Sequence, residues 1–524
     1  MSAKLKEGNI MKNFINILAV IIVALGLFSC EDFLNVTPED RITNEMFWEN
    51  QEDAQMALMG IYSVLQDNGV YGYGGGNDAK SSNAHQWAHW EGKQLQIGNG
   101  TVTPDIGGNV LGRWTDSYRG INRVNVFLEN IDNVEGISES AKETMIGEAY
   151  FLRGVFYALL ANSYGGVPVF TNPITAEEAR SLTRATLEET WNQVHSDYDK
   201  AIARLNQDAP QAGRATLGAA YGMKMRAYLY QRDWDKVIEY ADTIIDMNKY
   251  GLFHSYEGLF QVENEHNEEV IFNVEFMEGP RGQGSIFDRY WQPQNLENGI
   301  NGSNSVAPIQ HLVDAYGTLD GSQVDPENPY ENRDPRLDFT ILRPGAYFQG
   351  QLYPDELQNH TGQQVGFGIR KYTIEGDVTQ WESPLNFIVL RYADVLLSKA
   401  EALIEKDNPN IAEAVRLINR IRTERDDVSM PSLSTSLSLD EARVKLRHER
   451  RIEFALEGLY WADEKRWDMI DDFRDDLYPI EVRSRDGGLI DTKFEGGFDS
   501  MYNRYPIPES EISLNPDLEQ NPGY

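Results

Sequence analysis

The chain has 524 residues, 41% of them hydrophobic and 11% aromatic, and a formal net charge of −35. This composition supports a large packed core and excludes wholesale disorder, and the acid excess repels phosphate and excludes nucleic acid as a partner. The single cysteine excludes intrachain disulfides and thiolate zinc sites, so burial alone must hold the fold.

The first element in chain order is Met11 to Cys30, MKNFINILAVIIVALGLFSC. Lys12 supplies a positive n-region and Ile15 to Phe28 an apolar h-region, and Leu27, Phe28, Ser29 and Cys30 fit a lipobox. The apolar run is roughly 15 residues, whereas crossing the hydrocarbon takes about 20. Residues 1–29 therefore read as a lipoprotein signal peptide with Cys30 as the lipidated residue, the other reading being an uncleaved anchor helix. Acyl chains on Cys30 hold a protein to a membrane without a transmembrane span.

Helical periodicity follows in separated blocks. Leu187, Trp191, Val194, Tyr198, Ile202 and Leu205 step by fours and threes along one helix face. Similar stripes predict helices over Asn44–Leu65, Trp114–Ile131, Ala141–Ser163, Leu217–Tyr230, Trp234–Met247, Tyr392–Ile404, Ile411–Arg422 and Leu439–Leu456. Two successive pairs, 217–230 with 234–247 and 392–404 with 411–422, read as helix hairpins of the tetratricopeptide type. Their second helices share a spacing, Val237, Ala241, Ile244 and Ala414, Ile418, Ile421.

Two long irregular regions interrupt the helices, 68–113 with its YGYGGGND and 279–386, rich in Gly, Pro, Asn and Asp. Loops this long in a compact domain are usually functional. A short β segment, Val270–Glu275, is expected to brace the second. The helical scaffold then occupies about 30–67, 114–275 and 387–475, with a C-terminal segment over 476–524.

Tryptophan placement separates rings that pack in helices from rings that a loop could present to a ligand. A saccharide offers flat C–H faces ringed by hydroxyls, so its platform needs exposed aromatic planes beside short polar side chains. Trp48, Trp114, Trp191, Trp234, Trp461 and Trp467 fall in or beside helical blocks and read as packing residues. Trp87 and Trp90 lie in NDAKSSNAHQWAHW with Asn77, Asp78 and Asn83 as hydrogen-bonding neighbours, and Tyr290 and Trp291 lie in SIFDRYWQPQN. Each loop ring has a second reading, that it pins its own loop to the scaffold. Trp381 leads directly into a helix and is the weakest candidate. His85 and His89 are four apart but lack a third ligand, and Asp320, Asp325, Glu327 and Asp334 match no calcium loop, so no metal and no cofactor is expected.

Four segments in order, EAYFLRGVFYALLANSYGGVPVF (148–170), NRDPRL (332–337), FIVLRYADVLLSKAEAL (387–403) and YPIPESEISLNPDLEQNPGY (505–524), resemble the SusD/RagB family of outer-membrane glycan-binding lipoproteins. The resemblance implies a mainly α fold, a right-handed superhelix of tetratricopeptide-like helix pairs carrying an irregular, loop-rich ligand-binding subdomain. It also implies that the aromatic arc is assembled from loops in the two irregular regions. Within RHERRIEFALEGLYWADEKRW, Tyr460 stands where the family often has arginine and Glu464 where it often has leucine, which puts a local ion pair in doubt. Glu31 and Asp32, just after the lipobox, resemble the acidic export tag of surface lipoproteins.

The functional expectation is a noncatalytic cell-surface lipoprotein, tethered to the outer membrane, that binds an oligosaccharide or polysaccharide and delivers it to a SusC-like TonB-dependent transporter. The acidic chain favours a neutral glucan, fructan or mannan over a polyanion, although Lys80, Lys93, Arg281 and Arg289 lie near the candidate loops. Two rivals stand beside it. A helical scaffold that binds only protein would use the superhelix, and a glycoside hydrolase would need a dedicated carboxylate pair.

Overall fold

A computed structural model describes residues 48–87, 92–98, 100–279, 283–293, 302–353, 366–376, 382–469, 480–483, 489–493 and 503–524. The signal segment, Cys30, His89, Trp90, Arg281 and Trp381 lie outside the described residues. No helix among the described residues is long and apolar enough to cross a membrane.

All nine expected helices are present: α1 Gln51–Tyr62, α2 Gly108–Asn130, α3 Glu139–Tyr164, α4 Leu187–Ile202, α5 Leu217–Gln231, α6 Trp234–Asp246, α8 Tyr392–Glu405, α9 Ile411–Thr423 and α10 Leu439–Glu453. Two shorter ones complete the set used below, α7 Phe287–Trp291 and α11 Tyr460–Arg466. Their starts follow local chemistry. Thr186 with Glu189 and Ser438 with Glu441 form reciprocal capping boxes, and Asp233 and Asn410 accept the backbone N–H groups of Lys236 and Glu413. Helix α5 ends where Arg232 takes a left-handed conformation, φ 59°, and the chain reverses directly into α6.

The helices pack in succession, α2 on α3, α3 on α4, α4 on α5, α5 on α6, α6 on α8, α8 on α9 and α9 on α10. Each therefore buries its stripe against its chain neighbours, the arrangement of a helical-repeat solenoid. Val237, Ala241, Ile244, Ala414, Ile418 and Ile421, the shared spacing of the two hairpins, are all fully buried. Of the six scaffold tryptophans, Trp114, Trp191, Trp461 and Trp467 are buried and Trp48 and Trp234 half-buried.

The expected brace is strand β2, Val270–Val274, antiparallel to β8, Phe387–Arg391. This pairing sets Glu269, just before β2, against Arg391, just before α8, at 2.8 Å. Around them lies a buried ionic network. Glu453 of α10 receives Arg391 at 2.6 Å, Arg336 at 2.9 Å and Arg425 at 2.9 Å, and Glu457 receives Arg391 at 2.7 Å and Lys371 at 3.0 Å. A second group joins Arg450 to Asp394 and Asp463, Arg466 to Glu401 and Asp463, and Arg226 to Asp394. Burial alone would raise the Glu453 carboxyl, but Arg425, Arg391 and Arg336 together hold it well below the usual carboxylate range.

Removing one partner of such a pair strands a buried charge, which costs about 3–5 kcal/mol. Glu453→Ala is therefore expected to lower unfolding free energy by that amount, measured as a shift in the urea midpoint at pH 7. Because the folded carboxyl titrates below its unfolded value of about 4.3, its contribution is complete above that pH and is lost as pH falls below it. Melting temperature should drop steeply below about pH 4 in the wild type and less steeply in Glu453→Ala.

Candidate functional site

The two irregular regions, far apart in sequence, meet. Strand β1, Ala84–Gln86, pairs antiparallel with β3, Val306–Pro308, and the Trp87 N–H donates to the Ser305 carbonyl at 2.7 Å. The Ser305 N–H in turn donates to the Tyr290 carbonyl at 2.7 Å, which ties α7 to the same ribbon. Under it runs the glycine-rich 3₁₀ turn Gly74–Lys80, buried along its length. Two of its glycines answer to close approach: a Cβ on Gly74, at φ 49°, would stand 2.7 Å from the Phe287 ring, and one on Gly75 would stand 1.9 Å from the Leu456 carbonyl.

The two loop regions adjoin, but most of the described candidates face inward. Trp291 is 1% exposed and stacks on Phe287 at 4.5 Å and 6° between planes. The two residues are one helical turn apart on α7, and Phe287 continues into a cluster with Phe276, Tyr372 and Phe387. Trp87 is 2% exposed, with His85 edge-on at 4.5 Å. The expectation of freely presented rings is thus corrected for both. In a region with little regular structure, a large ring stabilises most by burying its area against the scaffold, and these tryptophans pin their loops. Tyr290 is half-buried, 6.2 Å from Tyr73.

The polar candidates are corrected in the same way, because all three are buried and bonded internally. Asn77 donates to the Gly74 carbonyl at 2.9 Å and accepts from Gln94. Asp78 accepts the Leu456 N–H at 2.7 Å and the Asn83 amide at 3.2 Å, and burial pushes its carboxyl up to about 6. Asn83 accepts from Arg451 at 2.9 Å. Lys80 is buried as well, and Asp334 is paired with Arg336 at 2.8 Å, so it is not part of an open acidic loop. Of the other basic candidates, Lys93 and Arg289 are half-buried.

One exposed ring escaped the sequence reading. Tyr347 is 66% exposed, the only aromatic residue among those described to be mostly open to solvent, and it sits opposite Leu352, 55% exposed. They lie on the hairpin of β5, Tyr347–Phe348, and β6, Gln351–Leu352, turned by Gln349 and Gly350 at φ 56° and 74°. The hairpin is clamped. Gln349 donates to the Ile374 carbonyl at 2.8 Å and accepts from Gly376 at 2.9 Å, and Ile374 donates to Asp288 of α7 at 2.8 Å. The available signal was a two-residue turn ending in glycine between two short apolar pairs.

A carboxylate pair also exists. Glu265, pushed up to about 7 by burial, and Glu275 both accept from the Asn386 amide at 2.9 Å. The adjoining cavity is about 10 Å³, room for one water and not for a sugar ring.

A helical-repeat scaffold with an inserted irregular subdomain is the class this geometry defines, and the comparisons agree over nearly the whole chain. The model described as SusD family matches residues 268–524, and the model described as starch-binding associating with outer membrane matches residues 32–229. The chain belongs to the SusD/RagB family. It is 26% identical to SusD-like protein P25 of Formosa agariphila, over 96% of this chain and 97% of that one. It is 22% identical to the starch-binding protein SusD of Bacteroides thetaiotaomicron, over 98% and 99%. A crystal structure of a SusD-like carbohydrate-binding protein from Bacteroides fragilis superposes with a TM-score of 0.79 at 27% identity, over 90% of this chain and all of that one.

Pinning and presentation predict opposite stabilities. Trp291→Ala should cost about 3–5 kcal/mol, whereas Tyr347→Ala should change stability by less than about 0.5 kcal/mol, both read from urea denaturation.

Proposed function

We propose that this protein is a noncatalytic outer-membrane lipoprotein, anchored through Cys30 after removal of residues 1–29, that captures a neutral oligosaccharide. The observation that carries this reading is the exposed Tyr347 ring on a clamped hairpin of the irregular subdomain, in a chain related along its length to proteins named as starch- and carbohydrate-binding. A preformed ring loses little side-chain freedom when a flexible glycan docks. Tyr347 and the accessible edge of Tyr290 offer C–H stacking, with Trp90 as a further sequence candidate, while Trp87 and Trp291 keep the loops in place. The captured glycan passes to a SusC-like TonB-dependent transporter, a step supported by kinship alone. The comparisons point to no enzyme family, and the small Glu265 cavity argues against hydrolysis.

Affinity electrophoresis in gels containing starch, mannan, fructan or alginate tests the proposal. The expected result is retardation by a neutral polymer, with Tyr347→Ala weakening binding by about tenfold, or about 1.4 kcal/mol. Retardation by none of the gels would leave the protein-only scaffold as the better account, and release of reducing ends would make the protein a hydrolase.

A further inference from the structure

An interior cavity of about 90 Å³ lies between the 3₁₀ turn, α2, α3, α5, β8 and α11, with Lys80, Arg113, Asn162, Glu457 and Trp461 in its wall. Lys80, Arg113 and Trp461 bring donors to its wall. Lys80 donates to the Tyr505 hydroxyl at 3.0 Å and lies 4.8 Å from the centre of the Trp461 ring. Lys465, from the next turn of α11, donates to the Asn162 carbonyl at 2.8 Å and lies 3.8 Å from the same ring. Arg113 is 7% exposed, its Nε has no partner, and its guanidinium makes no hydrogen bond among the described residues. The indole N–H of Trp461, itself 4% exposed, is also unpartnered.

The carboxylates nearby are already engaged. Glu457 is held by Arg391 and Lys371, Asp394 takes up Arg226, and Asp78 accepts from Asn83 and Leu456 on one oxygen and acts on Lys80 only from beyond ion-pair distance. Lys80 and Arg113 therefore line one cavity with no carboxylate at ion-pair distance from either among the described residues, in a chain whose net charge is −35. Elsewhere the buried arginines described above each have a carboxylate within ion-pair distance. Burial, with Arg113 and Lys465 adding to it, pushes the Lys80 amine well below the usual lysine range, the response of an ammonium that lacks a close counterion, and an anion beside it would restore its proton.

We propose that this cavity binds a small monovalent inorganic anion of chloride's size, held by the Arg113 guanidinium, the Lys80 ammonium and the Trp461 N–H. One water requires about 10–15 Å³, so 90 Å³ accommodates the ion with water beside it. The ion neutralises part of the charge that fastens the 3₁₀ turn to α11, so anion binding stabilises the floor beneath the candidate glycan surface. A ligand that binds only the folded state raises apparent stability with its concentration.

Two measurements on the purified protein decide it. Crystals grown in sodium bromide should show an anomalous peak within hydrogen-bonding distance of Arg113 and Lys80. The melting temperature should be higher in sodium chloride than in sodium gluconate at equal ionic strength, should rise with chloride concentration, and should lose that difference in Arg113→Met and in Lys80→Met. The peak together with the chloride-specific shift establishes the site. Absence of the peak overturns the proposal, even if a salt effect remains, and so does a peak with no chloride-specific shift.

Discussion

The structure depends on charges buried where water cannot screen them. Glu453 stands at the meeting point of Arg336 from the second irregular region, Arg391 from the end of β8 and Arg425 from the turn after α9. One carboxylate on α10 thereby joins the second irregular region to the end of β8 and to the turn after α9. The arrangement is demanding. Desolvating so many charges is costly, and only close geometry with nearly every lone pair and proton satisfied recovers the cost.

That constraint carries through to the candidate surface. Lys371 and Arg336 fasten the second irregular region to α10, and β1–β3 fastens the first region to the second. Tyr460 and Glu464 fall at this junction. Glu464 accepts both the N–H and the hydroxyl of Ser82, at 3.1 and 2.6 Å, and Arg451 lies 5.2 Å from the centre of the Tyr460 ring while donating to Asn83 and Ser82. Together they form a latch on the turn before β1. The irregular subdomain holds its shape through hydrogen bonds and buried rings, which is why so few of its aromatics remain available to a ligand.

Much of this was legible in advance, for a physical reason. A helix that packs on its neighbours must repeat its apolar residues every three to four positions, and all nine stripes became helices. The segments that carry the family resemblance supply several of the buried ions, Asp334 and Arg336 from NRDPRL and Arg391, Asp394 and Glu401 from FIVLRYADVLLSKAEAL. The candidate surface was less legible. Phe287 and Trp291 are spaced as one turn of an inward-facing helix, yet five residues give too short a period to separate a buried ring from a presented one. The Gln349–Gly350 turn was hidden among many other glycines.

The sequence by itself determined the helical scaffold, its family and the charge that disfavours polyanions, while the joining of the two remote loop regions was only implied by the resemblance and is seen in the β1–β3 pairing. These follow from periodicity, composition and ordered motifs, all of which are written locally along the chain. Only the tertiary structure decided which rings turn inward, that Tyr347 stays out, and that Lys80 and Arg113 line one cavity with no carboxylate at ion-pair distance from either among the described residues. Exposure and charge matching are properties of contacts between distant segments, and residue order encodes them only through the fold.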